Sequence, residues 1–260
     1  MITASFINQK ALDFQIDRYT VVREYFQLLF LRYLYRQKLQ GMKLFFKGGT
    51  AIRFLFNSFR FSEDLDFTGL GRMKKIEEVL KQILPDCEKE SGFKIMVKDE
   101  KLFEEVGVGY RLVLQPNELI KQPLGIRLDF SFREKPLEPE VSSIAVFDYP
   151  ITPFPLVTHL SKKEILAEKV RAILTRETPR DLFDLWFLLK QGTLLEWDFV
   201  IKKMKYYPEV KFDKKILEKE IQKFKPEELK KDLNQFLPAN YRDYYSKITE
   251  EILTLVQKNK

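Results

Sequence analysis

The sequence predicts an α+β protein, with a mixed sheet and flanking helices over residues 1–152 and a helical bundle over residues 153–260. Segments of alternating polarity, the mark of strands buried on one face, occur only before residue 150. From residue 160 onward apolar residues recur at spacings of three and four, the period of a helix. Between these halves lies a stretch rich in Pro and Glu, residues 133–155, with Pro136, Pro139, Pro150, Pro153 and Pro155. It reads as a linker carrying one strand. The domain boundary falls within residues 149–159, and the lone His159, with no Cys nearby, reads as a connector residue.

A hydrophobic fraction of 45% with 23 phenylalanines supports a packed core in a chain of 260 residues, which excludes global disorder. The one cysteine, Cys87, rules out an intramolecular disulfide, and one Cys with one His cannot build a zinc cluster. Both facts fit a reducing cytoplasm. The first residues lack the basic start and apolar run of a signal peptide. The most apolar run, residues 25–35, is interrupted by Arg32 and is too short to span a bilayer. A soluble cytoplasmic protein with no membrane contact is therefore expected. Net charge is +7, from 45 basic and 38 acidic residues. That excess fits simple solubility, and equally a nucleic-acid partner bound through counterion release.

Residues 16–40 form the first predicted helix, with Val21, Val22, Tyr25, Leu28, Leu29, Arg32 and Tyr33 on one stripe and Gly41 as its stop. Next comes KGGTAIRFLFNSFRFSEDLDF, residues 47–67. The apolar run Leu44-Phe45-Phe46 leads into a tight turn, Gly48-Gly49-Thr50, and residues 51–58 then carry Ile52, Leu55 and Phe56 at helical spacing. A second short strand presents Asp64 and Asp66. Residues two apart on a strand share a face, so both carboxylates project together while Leu65 and Phe67 point to the core. Like charges side by side are costly unless a cation lies between them, and hard divalent ions take oxygen ligands of this kind. The glycines let backbone approach a ligand and aim the N–H groups of a helix start at an anion. Carboxylates for a metal beside a turn for phosphate outline a nucleotide site.

A helix is predicted over residues 73–89, with Pro85 ending its regular part. Strands follow at 93–97, 106–114, 124–132 and 144–147. In the third of these, Asp129 lies on the face opposite Leu128 and Phe130, and shares it with Arg127 and Ser131. A carboxylate within an apolar strand needs a partner. A salt bridge to Arg127 or Arg133 is one solution; a metal shared with Asp64 and Asp66 is another.

The pattern hydrophobic-Gly-Gly, a spacer, then Asp-hydrophobic-Asp resembles the DNA polymerase β nucleotidyltransferase superfamily. The wording KGGTAIR with RFSEDLDF resembles its AbiEii/AbiGii toxin branch, whose relatives include the MenT toxins. This resemblance implies a nucleotidyltransferase-fold sheet and a Mg²⁺-dependent transfer of nucleotide from a nucleoside triphosphate (NTP). It makes Asp129 the third acid, so that Asp64, Asp66 and Asp129 hold two Mg²⁺ ions. Gly48, Gly49 and Thr50 take the phosphates, with Ser62 and Arg53 as further contacts; alternatively, Arg53 braces the Asp64 loop.

In the second half, Ser161 is the predicted N-cap of a helix, with Glu164 completing a capping box. That helix turns Ile165, Leu166, Ala172 and Ile173 inward with Lys169 among them. Pro179 opens the next helix, on which Asp181 and Asp184 lie one turn apart on the same side. EILAEKVRAIL followed by PRDLFDL again resembles the AbiEii family. By position, Lys169 then binds the triphosphate, while Asp184 orients Lys169 or helps deprotonate the incoming hydroxyl. A helix-to-helix salt bridge of Lys169 with Asp181 or Asp184 is the plainer reading, and the two are compatible.

Further helices are predicted at 197–206, 214–224, 226–236 and 241–256. Residues 201–260 hold 15 Lys and Arg against 10 Asp and Glu, a local charge of +5, interleaved with aromatic residues that include Tyr206, Tyr207, Phe212, Phe224, Tyr241, Tyr244 and Tyr245. This mixture fits a solvated bundle with an aromatic core, and also a grip on RNA. The resemblance implies a toxin that adds nucleotide to RNA, tRNA being the leading acceptor, with an antitoxin as its partner. Transfer to a protein or small-molecule hydroxyl, and nucleotide or RNA binding without catalysis, are the alternatives.

Overall fold

The computed structural model describes residues 1–39, 41–103, 106–144, 149–152 and 156–258, with backbone alone for residues 99–103. The chain divides into two compact units, Met1–His159 and Leu160–Lys260. The division falls later than residue 152 because the segment before it adds a strand to the first unit's sheet.

The first unit opens with two helices where the sequence predicts one. Helix α1 (Ala4–Phe14) is capped by Thr3, whose hydroxyl accepts from Phe6 N at 3.2 Å. Gln15 then turns left-handed, and Asp17 caps α2 (Arg18–Arg36) by accepting from Thr20 N at 3.0 Å. The predicted stripe on α2 is buried except for half-exposed Tyr33, and Arg32 and Tyr33 both bond Glu90 on a later helix. β1 (Met42–Lys47), α3 (Gly48–Phe56) and β2 (Asp64–Gly71) follow. The glycines foreseen as a turn are the first residues of α3 itself.

Helix α4 (Lys75–Ser91) runs through Pro85 and does not end there. A proline inside a helix costs about 3 kcal/mol. The buried face formed by Ile76, Val79, Leu80, Ile83, Leu84 and Cys87, with α4 packed on α2, outweighs that cost. β3 (Ile95–Phe103), β4 (Gly107–Leu114) and β5 (Leu124–Ser131) come next. Within the linker the described strand is β6 (Pro139–Ser143); the strand predicted at 144–147 lies outside the described residues from position 145 onward. β7 (Leu156–Leu160) is not foreseen from the sequence. It makes His159 a strand residue rather than a connector. His159 is fully buried, pairs with Phe46 of β1, and shares a hydrogen bond of 3.0 Å with Ser142 Oγ.

Among the described residues the sheet has seven strands in the order β3-β4-β5-β2-β1-β7-β6. β2 runs parallel to β5 and β1 parallel to β7, while β1–β2, β3–β4 and β4–β5 are antiparallel, so the sheet is mixed. Phe46, Phe67 and Phe130 are register partners across β1, β2 and β5 and form an aromatic row in the core. Phe67 and Phe130 stack at 4.9 Å, and Phe46 lies 5.6 Å from Phe67.

The second unit is helical beyond the end of β7: α5 (Lys162–Thr175), α6 (Pro179–Lys190), α7 (Trp197–Met204), α8 (Lys214–Lys223), α9 (Pro226–Leu233), a 3₁₀ turn (Ala239–Tyr244) and α10 (Tyr245–Lys258). Helix α5 packs against α6, α7 and α8, and α10 against α6, α8 and α9. Among the described residues no helix is long and apolar enough to cross a membrane.

Candidate active site

Strand register assembles the carboxylates. Lys47 of β1, Asp66 of β2, Asp129 of β5 and Gly109 of β4 are successive partners across the sheet. Partners on neighbouring strands point to one face, and the residues before or after them point to the other. The aromatic row and the carboxylate row are therefore adjacent rungs on opposite faces. Asp64 lies two residues before Asp66 on the same face, with Arg127 as its partner and Arg127 Nη1 at 3.8 Å from Asp64 Oδ2. Burial pushes the Asp129 carboxyl above its ordinary range; Asp64 pushes the same way, and Arg127 only partly offsets them. Such a shift is what acids gathered on one face should show.

Helix α3 begins against these acids. Gly48 has φ +80°, and a Cβ there would collide with the Asp66 carboxylate. At Gly49 the same atom would meet the Arg60 guanidinium, with Ser62 Oγ 3.1 Å away. At Gly48 the left-handed backbone and the close carboxylate together require glycine. Thr50 Oγ1 donates to the Asp64 carbonyl, which ties the helix start to the start of β2. No side chain caps α3, and the N–H groups of an uncapped helix start suit a phosphate.

Arg53 is placed in the core of the first unit. Its guanidinium pairs with Glu24 through Nε and Nη2, donates from Nη1 to the Ser58 carbonyl at 2.8 Å, and lies 3.7 Å over the Phe61 ring. Glu24 also accepts from Tyr149 Oη at 2.8 Å. These contacts hold the Arg53 guanidinium between Glu24, Ser58 and Phe61. Arg60, not foreseen from the sequence, is a buried cation beside Gly49; its place two residues before Ser62 is the one clue the sequence offers.

The donor set of Asp64, Asp66 and Asp129 is all carboxylate oxygen, which suits a hard ion such as Mg²⁺. Among the described residues, no three His, Cys, Asp or Glu side chains stand close enough together to clasp one ion. The fit to a metal therefore rests on the chemistry of the acids and on the register pair Asp66–Asp129. A surface cleft of about 750 Å³, lined by residues such as Tyr35, Met42, Leu44, Val141 and Thr158, contains none of the candidate residues.

In the second unit, Lys169 Nζ lies 2.8 Å from Asp181 Oδ1 and 2.7 Å from Asp184 Oδ2, so α5 and α6 share one buried ammonium. Arg176 Nε bonds the other oxygen of Asp181 at 2.9 Å. Burial alone would raise the Asp181 carboxyl, but Lys169 and Arg176 outweigh it and hold it down at about 2. The plainer salt bridge is thus present, made to both acids. Ser161 caps α5 as predicted, accepting from Glu164 N at 3.2 Å. The Glu164 carboxylate, however, lies 2.7 Å from Lys203, which also meets Glu168 at 2.9 Å, and all three are buried. Nothing in the local sequence pattern announces that second cluster.

No curated protein sequence matches the chain. Among solved structures it is similar to MenT4, a nucleotidyltransferase toxin from Mycobacterium tuberculosis H37Rv, with 17% identity over 100% of this chain and 91% of that one and a TM-score of 0.65. A putative nucleotidyltransferase from Helicobacter pylori shares 20% identity over 94% of this chain and 95% of its own, with a TM-score of 0.61. JHP933 from Helicobacter pylori shares 20% identity over 94% and 92%, with a TM-score of 0.56. At these identities the likeness is one of fold. The sequence family described as nucleotidyl transferase AbiEii toxin, type IV TA system, matches residues 32–257. With that match running through both units, the chain belongs to the AbiEii nucleotidyltransferase toxins of type IV toxin–antitoxin systems.

Proposed function

We infer that this nucleotidyltransferase moves a nucleotide from an NTP to RNA in the cytoplasm, with tRNA as the leading acceptor, Mg²⁺ as its metal and an antitoxin as its partner. One observation carries the reading: Asp66 and Asp129 are register partners, Asp64 shares their face, and the glycine start of α3 abuts Asp66. Asp64, Asp66 and Asp129 would hold the two Mg²⁺ ions, which would supply positive charge for the departing pyrophosphate and acidify the attacking hydroxyl. The chain's own residues do the positioning. Gly48, Gly49 and Thr50 offer backbone N–H groups to the phosphates; the Thr50 hydroxyl is already spent on Asp64. Ser62, beside Gly49, adds a hydroxyl. In the second unit, Asp184 and Asp181 set the direction of the Lys169 ammonium, the group that the family resemblance assigns to a triphosphate. Full burial and the ion pair suit Asp184 to orienting Lys169 better than to taking a proton.

In the reaction the acceptor oxygen bonds the α-phosphorus, the bond to pyrophosphate breaks, and the hydroxyl proton passes to water. Acceleration comes from alignment and from charge placed where it develops. The test is to incubate the protein with Mg²⁺, each labelled NTP in turn, and total tRNA, a protein extract or an aminoglycoside, with Asp64→Ala as control. Label in tRNA that disappears with Asp64→Ala is expected. Label only in protein or only in the aminoglycoside would replace the RNA reading with transfer to that hydroxyl.

A further inference from the structure

The rung next to the carboxylates carries three cations in a line. Lys98 of β3 is the partner of Arg111 of β4, Arg111 of Arg127 of β5, and Arg127 of Asp64 of β2. All three cations are exposed and share the face of Asp64 and Asp129. Neighbouring strands lie about 4.8 Å apart, so the row crosses about 10 Å of sheet and ends at the acids. Like charges directly opposite one another destabilise a sheet. A lysine at an edge guards against strand pairing, which accounts for Lys98 on β3. It does not account for Arg111 and Arg127, because β4 and β5 have neighbours on both sides. Glycines flank the pair of arginines on the same face, Gly109 on β4 and Gly125 on β5, and the Arg111 guanidinium lies over Gly125, its Nε 3.1 Å from where a Cβ would stand. The face is thereby kept low and basic. Among the described residues neither Lys98 nor Arg111 has an acidic partner, and that of Arg127 is Asp64 at 3.8 Å.

We propose that Lys98, Arg111 and Arg127 form a track for the phosphodiester backbone of the acceptor RNA strand, leading its reactive end to Asp64 and Asp129. This rests on the RNA-acceptor reading above and adds the surface that reading lacks. Placement favours an acceptor over a second triphosphate site. The glycine start of α3 lies on the β1 side of the acids, and the basic row lies on the β5 side. In-line displacement needs the attacking and leaving oxygens on opposite sides of the phosphorus. A row of point charges reads phosphates without sequence, so the track sets register and leaves base choice to other residues.

The test is binding, with no transfer required. Anisotropy of fluorescein-labelled tRNA is followed with EDTA present while monovalent salt is raised. The triple variant Lys98→Gln, Arg111→Gln, Arg127→Gln should bind about tenfold or more weakly at low salt. Its slope of log K against log salt should be shallower by about 2, since each phosphate that is no longer neutralised removes about 0.7. Arg111→Lys with Arg127→Lys should keep the slope, and thermal melts of each variant should match the parent, since the side chains are exposed. An unchanged slope in the triple variant, with the parent binding tRNA normally, overturns the track alone. A parent that does not bind tRNA overturns both the track and the RNA acceptor. Polyglutamate binding that vanishes in the triple variant while tRNA binding stays intact assigns the row to an acidic protein partner and overturns the track as well.

Discussion

Two groups of aspartates in this chain live under opposite electrostatic rules. On the sheet, Asp64, Asp66 and Asp129 sit on one face, where burial and a neighbouring acid hold Asp129 above its ordinary range. On α5 and α6, Asp181 and Asp184 enclose Lys169, and Asp181 is held down at about 2 although it is more deeply buried. Burial raises the carboxyl in both places; Lys169 and Arg176 outweigh it at Asp181, while Arg127 only partly offsets it at Asp129. The helical acids are neutralised by the fold itself, so they stabilise it. On the sheet, a carboxyl held above its ordinary range beside another acid is the kind of perturbed group expected at a functional site.

The sharpest way to break the comparison is substitution at the sheet. Asp66→Asn should lower nucleotide transfer by about 10³-fold or more while leaving denaturant unfolding unchanged, as read by labelled-NTP assay and urea titration on the same preparation. A large loss of stability there would make Asp66 a structural acid. Lys169→Met is the mirror case. It leaves two buried carboxylates facing one another, and removing one partner of such a pair costs about 3–5 kcal/mol. Urea titration should show that loss before activity is assayed. If Lys169→Met were as stable as the parent, the ammonium would be held for a ligand alone.

Acid titration separates the clusters more finely. Asp181 has a folded pKa below its unfolded one, so it contributes stability above the unfolded value, lost as pH falls from about 4 toward 2. The contribution is about 2 kcal/mol by linkage, and Asp181→Asn should flatten the fall in stability over that window. Asp129 has the opposite sign. Its folded pKa is raised, so stability declines as pH climbs from the unfolded carboxylate value through the folded one. In EDTA at neutral pH, Asp129→Asn should therefore melt slightly higher than the parent, and with Mg²⁺ supplied it should lose transfer. A lower melting temperature would show that Asp129 is paired internally.

Much of this could be read from local pattern. Alternation placed β4 and β5 to within a residue or so, and helical spacing placed the starts of α5 to α9, because period and caps are local properties; α7 and α9 end two and three residues sooner than predicted. Helix α1, which precedes the helix predicted at 16–40, was hidden: Thr3 is a good cap, but the apolar pattern before residue 16 is weak. Pro85 misled for the converse reason, since packing of the α4 face overrides a local breaker. β7 and the buried state of His159 were invisible, as a strand of five residues beside prolines looks like linker until β1 offers it an edge.

The candidate site divides along the same line. The sequence by itself determined that Asp64 and Asp66 share a face, that glycines precede them at a helix start, and that Lys169 lies inward with two acids one turn apart on the following helix. These follow from periods of 2 and 3.6, which are properties of the chain. Tertiary structure alone decided that Asp129 stands beside Asp66, that Arg53 is spent on Glu24, that Lys203 joins Glu164 to Glu168, and that Lys98, Arg111 and Arg127 line up toward Asp64. Each is a pairing between distant segments. Strand register and helix packing set such pairings, and no local repeat encodes them.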